Sequence, residues 1–367
     1  MKSAAFTFLY ILSLCLILLP RDSSGLAKEK KDSEMKPIGY YNYQLYKSFG
    51  RYGTSRGYFD NPIDIAIDTS ENTIFIFDKG NKRIQQFDSE GDYIEHWDYD
   101  NLKSDSRKLE EFFQHFRPLI FKNNNEIEEI RGRLPNKIQI IREKRDRKLY
   151  EAIKLDNIQA IALANISLFG EPIIYFIQED HKHIDFTIDS NGKLYIIDNK
   201  SSNILKFNVR NYEEDDTKYK EYYEHYEYLD SFGGFGSGEG YFYSPIKIAF
   251  DSSKFGSLWI LDSKDGKLHN FDLNGDFLKA FVPKDSTNKK LEKPTDLCSD
   301  NHGFIFISDR ETHTIYKYNN EGLYIQSIGK EGSSPGDFNN PTALTVDNEG
   351  RLFVVDTGNN RIQIFTP

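Results

Sequence analysis

Cysteine, methionine and tryptophan are almost missing, with two of each in 367 residues. Cys15 lies in the apolar N-terminal stretch, so only Cys298 is left for the rest, which excludes a disulfide framework within the folded chain. Beyond Leu19 no apolar run is long enough to span a bilayer. Positive charge is in deficit too. Against 57 Asp and Glu there are 47 Lys and Arg, and the net charge of −10 argues against nucleic acid as a partner, because such a surface repels phosphate backbones. Neither a nucleophile-elbow nor a phosphate-loop pattern occurs.

What is present begins with an address. Lys2, the apolar stretch Ala4 to Leu19, the breaker Pro20 and "RDSSGLA" predict a secretory signal peptide over residues 1–27, cut after Ala27 or Gly25. Leu14 precedes Cys15 where a lipid-attachment site takes a small residue, so a lipoprotein is not expected. A linker over 28–40 and a folded domain over 41–367 follow. The expected location is secreted or periplasmic with no membrane span after signal removal, and membrane-anchored if the signal is uncleaved.

Phe (28) and Tyr (23) are abundant, and short β-rich runs alternate with Asn, Asp, Gly and Ser, as many short strands and tight turns would. Five segments share one pattern: "DKGNKRIQQF" from Asp78, "DNKSSNILKF" from Asp198, "DSKDGKLHNF" from Asp262, "DRETHTIYKY" from Asp309 and "DTGNNRIQIF" from Asp356. Each follows a strand-like run, and upstream lie "PIDIAID", "HIDFTID", "PIKIAFD", "PTDLCSD" and "PTALTVD", which lead through turn residues into that run. A Gly turn in "FDSEGDYIEHW", "FDLNGDFLKAF" and "YNNEGLYIQSI" adds a fourth strand. Four antiparallel strands recurring at propeller-blade length predict an all-β propeller.

Asp262, Asp309 and Asp356 are spaced by 47 residues, whereas Asp78 to Asp198 spans 120, room for two blades and an insertion. The spacing predicts six blades, roughly 61–98, a degenerate 136–180, 183–232, 244–282, 293–329, and 340–367 with 41–50. Candidate strands for the degenerate blade are "KIQIIRE", "KLYEAIKL", "IQAIALA" and "PIIYFIQ". The last repeat supplies three strands, and "YNYQLYKSFG" (41–50) is a spare one whose pairing there would close the ring and remove an edge.

These repeats resemble the NHL family, most closely in "DTGNNRIQIF" and in three GxFxxP segments: Gly57, Phe59, Pro62; Gly240, Phe242, Pro245; Gly336, Phe338, Pro341. The resemblance implies a six-bladed propeller used mostly for binding proteins or, in some members, RNA. A minority of relatives are enzymes, among them metal-dependent lyases and lactonase-like hydrolases.

The repeated aspartates, a blade apart, cannot converge on one ion and are expected to cap their loops through backbone amides. Cys298 aligns with Ala66, Ala249 and Thr345 and is expected to be a small packing residue. The eight histidines stand at unrelated repeat positions, and although His181 and His183 alternate on one strand, no third ligand accompanies them. No cofactor is therefore expected, and a divalent metal belongs to the alternative reading. Arg131 to Lys148 is basic, and Glu213 to Asp230 is acidic and tyrosine-rich; both are expected as solvated loops. "SRKLEEFFQHF" reads as a short amphipathic helix covering the ring. The lead-in loops and the loops between second and third strands share one propeller face. It collects Arg56, Tyr58, Lys82, Arg83, Tyr241, Tyr243, Arg310, His313, Asn359, Asn360 and Arg361, the expected binding face. The function expected is a non-catalytic scaffold for a protein or surface polymer. The alternative is a metal-dependent hydrolase or lyase with its site in the central channel.

Overall fold

The computed structural model describes residues 42–68, 71–98, 117–120, 158–164, 173–178, 185–199, 201–214, 221–253 and 256–367. The chain divides into Met1–Pro37 and Ile38–Pro367, and every described residue belongs to the second unit. The expected signal peptide and linker, the helix "SRKLEEFFQHF", the basic run, "KIQIIRE" and "KLYEAIKL" lie outside the described residues.

Strand β1 (Gln44–Phe49) precedes the first blade, β2 (Pro62–Asp68), β3 (Thr73–Asp78), β4 (Arg83–Asp88) and β5 (Tyr93–Asp98). Next come β6 (Arg117–Ile120), β7 (Ile158–Ala164) and β8 (Ile173–Gln178). The second blade holds β9 (Phe186–Ile188), β10 (Lys193–Asp198), β11 (Asn203–Glu214) and β12 (Glu221–Gly233). The third is β13 (Pro245–Asp251), β14 (Ser257–Asp262), β15 (Leu268–Phe271) and β16 (Phe277–Phe281). The fourth is β17 (Pro294–Ser299), β18 (Ile305–Asp309), β19 (Thr314–Tyr318) and β20 (Tyr324–Ile328). The fifth is β21 (Pro341–Val346), β22 (Leu352–Asp356) and β23 (Arg361–Thr366), completed by β1 in the order β1-β23-β22-β21.

Each blade is an antiparallel meander whose turn between first and second strand is built by the aspartate that ends the first run. Asp300 Oδ1 accepts the amides of His302 and Phe304, both at 2.9 Å, and Asp347 Oδ1 those of Glu349 (2.9 Å) and Arg351 (2.8 Å). Second strands such as β3 are buried along their whole length because both faces meet neighbouring blades, so they read as unbroken apolar runs. The outer strand β16 alternates instead between half-buried and exposed residues. Hydrophobic layers fill the spaces between adjacent blades. Ile65, Ile67, Ile74 and Ile76 of the first blade pack with Phe353, Val355, Ile362 and Ile364 of the fifth.

The ring closes as expected, with β1 antiparallel to β23 from Gln44↔Thr366 to Phe49↔Ile362. Tyr43, just ahead of β1, anchors the junction: its hydroxyl donates to Gly350 O at 2.6 Å and its amide to Gln326 Oε1 at 3.0 Å.

Six blades are expected; among the described residues five four-stranded blades form. Among the described residues, the stretch assigned to the degenerate blade gives a three-stranded sheet in the order β6-β8-β7. β7 and β8 coincide with "IQAIALA" and "IIYFIQ" and pair antiparallel, but β8's other neighbour is β6, which runs parallel to it. Parallel pairing needs a long connection, and the long segment between β6 and β7 supplies one in place of a hairpin. β7 nevertheless touches β2 and β9, so it stands in the inner ring between the first and second blades. The acidic stretch expected as a loop instead lengthens a hairpin, with β11 and β12 paired out to Glu214↔Glu221. Among the described residues no helix is long and apolar enough to cross a membrane.

Candidate functional site

Three lead-in loops have one conformation. In the first, Gly53 N donates to Phe59 O (2.9 Å) and Phe59 N to Arg51 O (2.8 Å). The pattern recurs as Gly236 to Phe242 (3.0 Å) and Phe242 to Gly234 (2.8 Å), and as Gly332 to Phe338 (2.9 Å) and Phe338 to Lys330 (2.8 Å). Phe59, Phe242 and Phe338 are fully buried beneath them. Gly50, at φ +85°, lies so close to Phe59 that a Cβ would run into the ring, and Gly233 and Gly329 repeat that approach on Phe242 and Phe338.

A polar cluster pins two of these loops. Asp78 Oδ2 accepts from Asn81 Nδ2 (2.8 Å), Arg83 Nε (2.9 Å) and Gln85 Nε2 (3.2 Å), while Oδ1 accepts the Asp60 amide at 2.7 Å. The Arg83 guanidinium also donates to Thr54 O, Ser55 O and Tyr58 O at 2.7–2.9 Å, and Gln85 Oε1 accepts the Gly57 amide at 2.9 Å. Asp356, Asn359, Arg361 and Gln363 repeat the set, with Arg361 donating to Ser333 O, Ser334 O and Asp337 O at 2.8–2.9 Å. Burial pushes both carboxyls up, opposed by hydrogen bonds from the Asn and Arg side chains and from a loop amide. Asp78 and Asp356 thus take loop amides, as expected, and carry a side-chain network as well.

The structure gives Arg83, buried among loop carbonyls, and Arg361 this pinning role, with Asn359 beside the latter. Asn360 accepts the Asn61 amide at 2.8 Å, and His313 Nδ1 accepts that of Asn340 at 2.8 Å. Lys82, His313 and Asn360 share a left-handed backbone, at φ 51°, 53° and 52°. Tyr58 lies under Arg51 at 4.2 Å from the guanidinium, and Tyr243 sits 5.4 Å from the Lys264 ammonium and edge-on to Phe235. Arg56, Tyr241 and Arg310 are exposed. Two residues that sequence reading missed are the most exposed large hydrophobics among the described residues: Tyr52 (71% exposed) and Phe235 (69%), at the same position of two lead-in loops. Aligning the three Gly-x-x-Gly segments before GxFxxP would have found them.

The central channel is a cavity of about 190 Å³ lined by the first strands, and at one level of it charged side chains gather. Lys247 Nζ lies 3.4 Å from Asp185 Oδ1 and 3.3 Å from Asp296 Oδ1. The carboxylates also bind across blades: Asp185 Oδ2 accepts the Ile248 amide (2.8 Å) and Asp296 Oδ2 that of Leu344 (2.9 Å). Burial pushes the Asp185 carboxyl up against the pull of Lys247; for Lys247, burial is outweighed by Asp185, Asp296 and Asp64, which hold its ammonium above its ordinary value. With Asp64, these residues are the third positions of "PIDIAID", "HIDFTID", "PIKIAFD" and "PTDLCSD", a column visible only when the runs are stacked. Cys298 also lines the channel, and burial pushes its thiol up.

Five four-stranded blades around a channel, closed by the N-terminal strand, make this chain a β-propeller. It carries the NHL repeat, whose family profile matches residues 338–365, the fifth blade. No curated protein matches the sequence. Among solved structures the chain is similar to a streptogramin B lyase, at 11% identity and TM-score 0.48 over 89% of this chain and 98% of that one. A structural genomics protein of unknown function from Bacteroides thetaiotaomicron gives 12% and 0.47 over 89% and 75%. Glutaminyl cyclase from Myxococcus xanthus gives 10% and 0.39 over 88% and 95%. At these identities no activity passes to this chain.

Proposed function

We propose that the protein is an exported, non-catalytic binding scaffold that takes a protein or surface polymer on its lead-in face. The observation that carries this reading is the pair Tyr52 and Phe235, each more than two-thirds exposed on a loop of fixed shape. Aromatic anchors on loops that lose little freedom on contact are the groups that dominate binding energy. Arg56 and Tyr58 share the loop of Tyr52, and Tyr241 that of Phe235, and the negative net charge turns the face away from nucleic acid. The channel supports the metal-dependent alternative less well, because among its described residues the Lys247 ammonium already stands between the carboxylates.

A photo-crosslinking amino acid placed at 52 or 235, and at the exposed Leu323 on the opposite face as control, tests the proposal in the protein's native setting. The expected result is one common adduct from 52 and 235 that is absent from 323. No adduct at 52 and 235, or equal labelling at 323, overturns it.

A further inference from the structure

The third blade breaks the pattern of the pinned loops. At the positions of Asp78, Asn81, Arg83 and Gln85 it carries Asp262, Asp265, Lys267 and His269. The amide donors of the first and fifth blades are replaced by a second carboxylate and an imidazole. The blades with Asp198 and Asp309 carry Ser201 and Thr312 at the Asn81 position, so the second acid there is particular to this blade.

Oxygens of Asp262 and Asp265 and a nitrogen of His269 all lie within 4.8 Å of one another. His269 is 3% exposed, and neither ring nitrogen has a hydrogen-bond partner. Its ring packs edge-on to Phe242 (5.0 Å) and Phe277 (6.4 Å), an arrangement that directs Nε2 toward Asp265 Oδ2 at 3.8 Å. That gap is too long for a hydrogen bond and suits two ligands of one ion with bonds of about 2.0–2.2 Å. A buried polar ring left without a partner is costly, so a missing ligand is the economical account.

We propose that Asp262, Asp265 and His269 form a site for a divalent transition-metal ion of the zinc class. Charge supports it. In the first blade a guanidinium balances one carboxylate, whereas here two carboxylates have no guanidinium: Lys267 Nζ is 3.0 Å from Asp265 Oδ2 on a side chain that can swing to solvent, and Lys290 Nζ is taken by the Asp265 carbonyl at 2.6 Å. A divalent ion neutralises the pair and takes the place of the guanidinium. The imidazole selects zinc-like ions over calcium or magnesium, which prefer all-oxygen sets. Asp262 also accepts the amides of Tyr243 (2.5 Å) and Ser244 (3.1 Å), so a bound ion would tie this polar loop to the lead-in loop that carries Phe235. The site stands independently of the binding proposal.

The test is titration of the chelator-treated, purified chain with Zn2+ and with Co2+, against the triple variant Asp265→Asn, Lys267→Arg, His269→Gln. That variant restores the set that two other blades already fold around, and Asp265→Asn alone is the back-up. The expected result is about one Zn2+ per chain, a Tm that rises with Zn2+ concentration, and a Co2+ visible spectrum of low-symmetry coordination. In the variant, binding weakens more than ~100-fold, beyond the ~10–100-fold that outer partners of a metal site cost. Equal uptake by wild type and variant, or no uptake by wild type, overturns the proposal.

Discussion

In the first blade Asp78 is surrounded by Asn81, Arg83 and Gln85; in the third, Asp262 faces Asp265, Lys267 and His269. Both loops carry a left-handed residue four positions after the aspartate, Lys82 at φ 51° and Gly266 at φ 67°, but Lys82 N donates to Lys79 O whereas Gly266 N donates to Asp262 O. The side chains decide whether the centre is a finished network or an open one. In the first blade Asn81, Arg83 and Gln85 all donate to the Asp78 carboxylate, and the loop is held without help. In the third, two carboxylates and an unpartnered imidazole leave room for an ion.

The sharpest way to break this comparison is to remove the aspartate from each centre. Asp78→Ala leaves the buried Arg83 without its counter-charge and should cost about 3–5 kcal/mol. Asp262→Ala, measured without metal, strands backbone amides but no buried guanidinium and should cost about 1–3 kcal/mol. Urea unfolding of both variants reads the difference, and equal losses would show that the amides, not the guanidinium, carry the energy.

A second buried cation asks whether a matched carboxylate is what makes the first blade stable. Lys317, fully buried, lies over the rings of Phe304 (4.3 Å) and Tyr43 (4.7 Å), and burial pushes its ammonium from 10.5 down to about 8 against the pull of Asp300. Because the folded value lies below the unfolded one, the unfolded chain holds more protons between pH 8 and 10.5. Stability should therefore rise with pH through that window, with the penalty fully present below it. The rise is best read below pH 10, where unfolded Tyr43 begins to ionise while burial keeps the folded hydroxyl protonated. Lys317→Met should flatten the profile and add roughly 1–3 kcal/mol at pH 7. An unchanged pH profile would mean that the rings and Asp300 stabilise the ammonium as well as water does.

The third prediction converts one centre into the other. In metal-free protein the triple variant Asp265→Asn, Lys267→Arg, His269→Gln gives the imidazole's place to an amide that can be satisfied, and should gain about 1 kcal/mol by urea unfolding. A loss would mean that the third blade's surroundings no longer fit the first blade's set.

How much of this was legible depended on whether a residue's task was local. Strand runs, Asp turns and the closing role of residues 41–50 follow from alternation and turn chemistry within a few residues, and β7 and β8 fell where their apolar runs stand. The sheet they join did not follow, because β6 pairs parallel across a long connection that leaves no short-range signal. Arg83 and Arg361 read as surface groups because a strand's pattern shows that Arg and Gln share a face with Asp, but not that a lead-in loop some 25 residues upstream covers that face. Asp64, Asp185, Lys247 and Asp296 were hidden for a related reason: each looks like an ordinary polar strand residue until the ring brings the blades together. His269 seemed to stand at an unrelated repeat position, yet seven residues after its aspartate it is the counterpart of Gln85 and Gln363.

The smallest effect concerns protons at the open centre. Burial lowers the His269 imidazolium below its ordinary 6.5, outweighing the pull of Asp265 and Asp262, with Lys267 pushing the same way as burial. As pH falls below 6.5 the unfolded chain takes up this proton before the folded one does, so stability falls in that direction. The triple variant has no such group, and the difference between the two stability profiles, taken in chelator, cancels every histidine they share. With saturating Zn2+ the wild-type profile should become steeper, because protons then compete with the ion for the imidazole and the carboxylates. If the two chelated profiles run parallel through this range, His269 is protonated as easily in the fold as in water. The centre would then be an ion pair with Asp265, completed by a proton where the first blade uses a guanidinium.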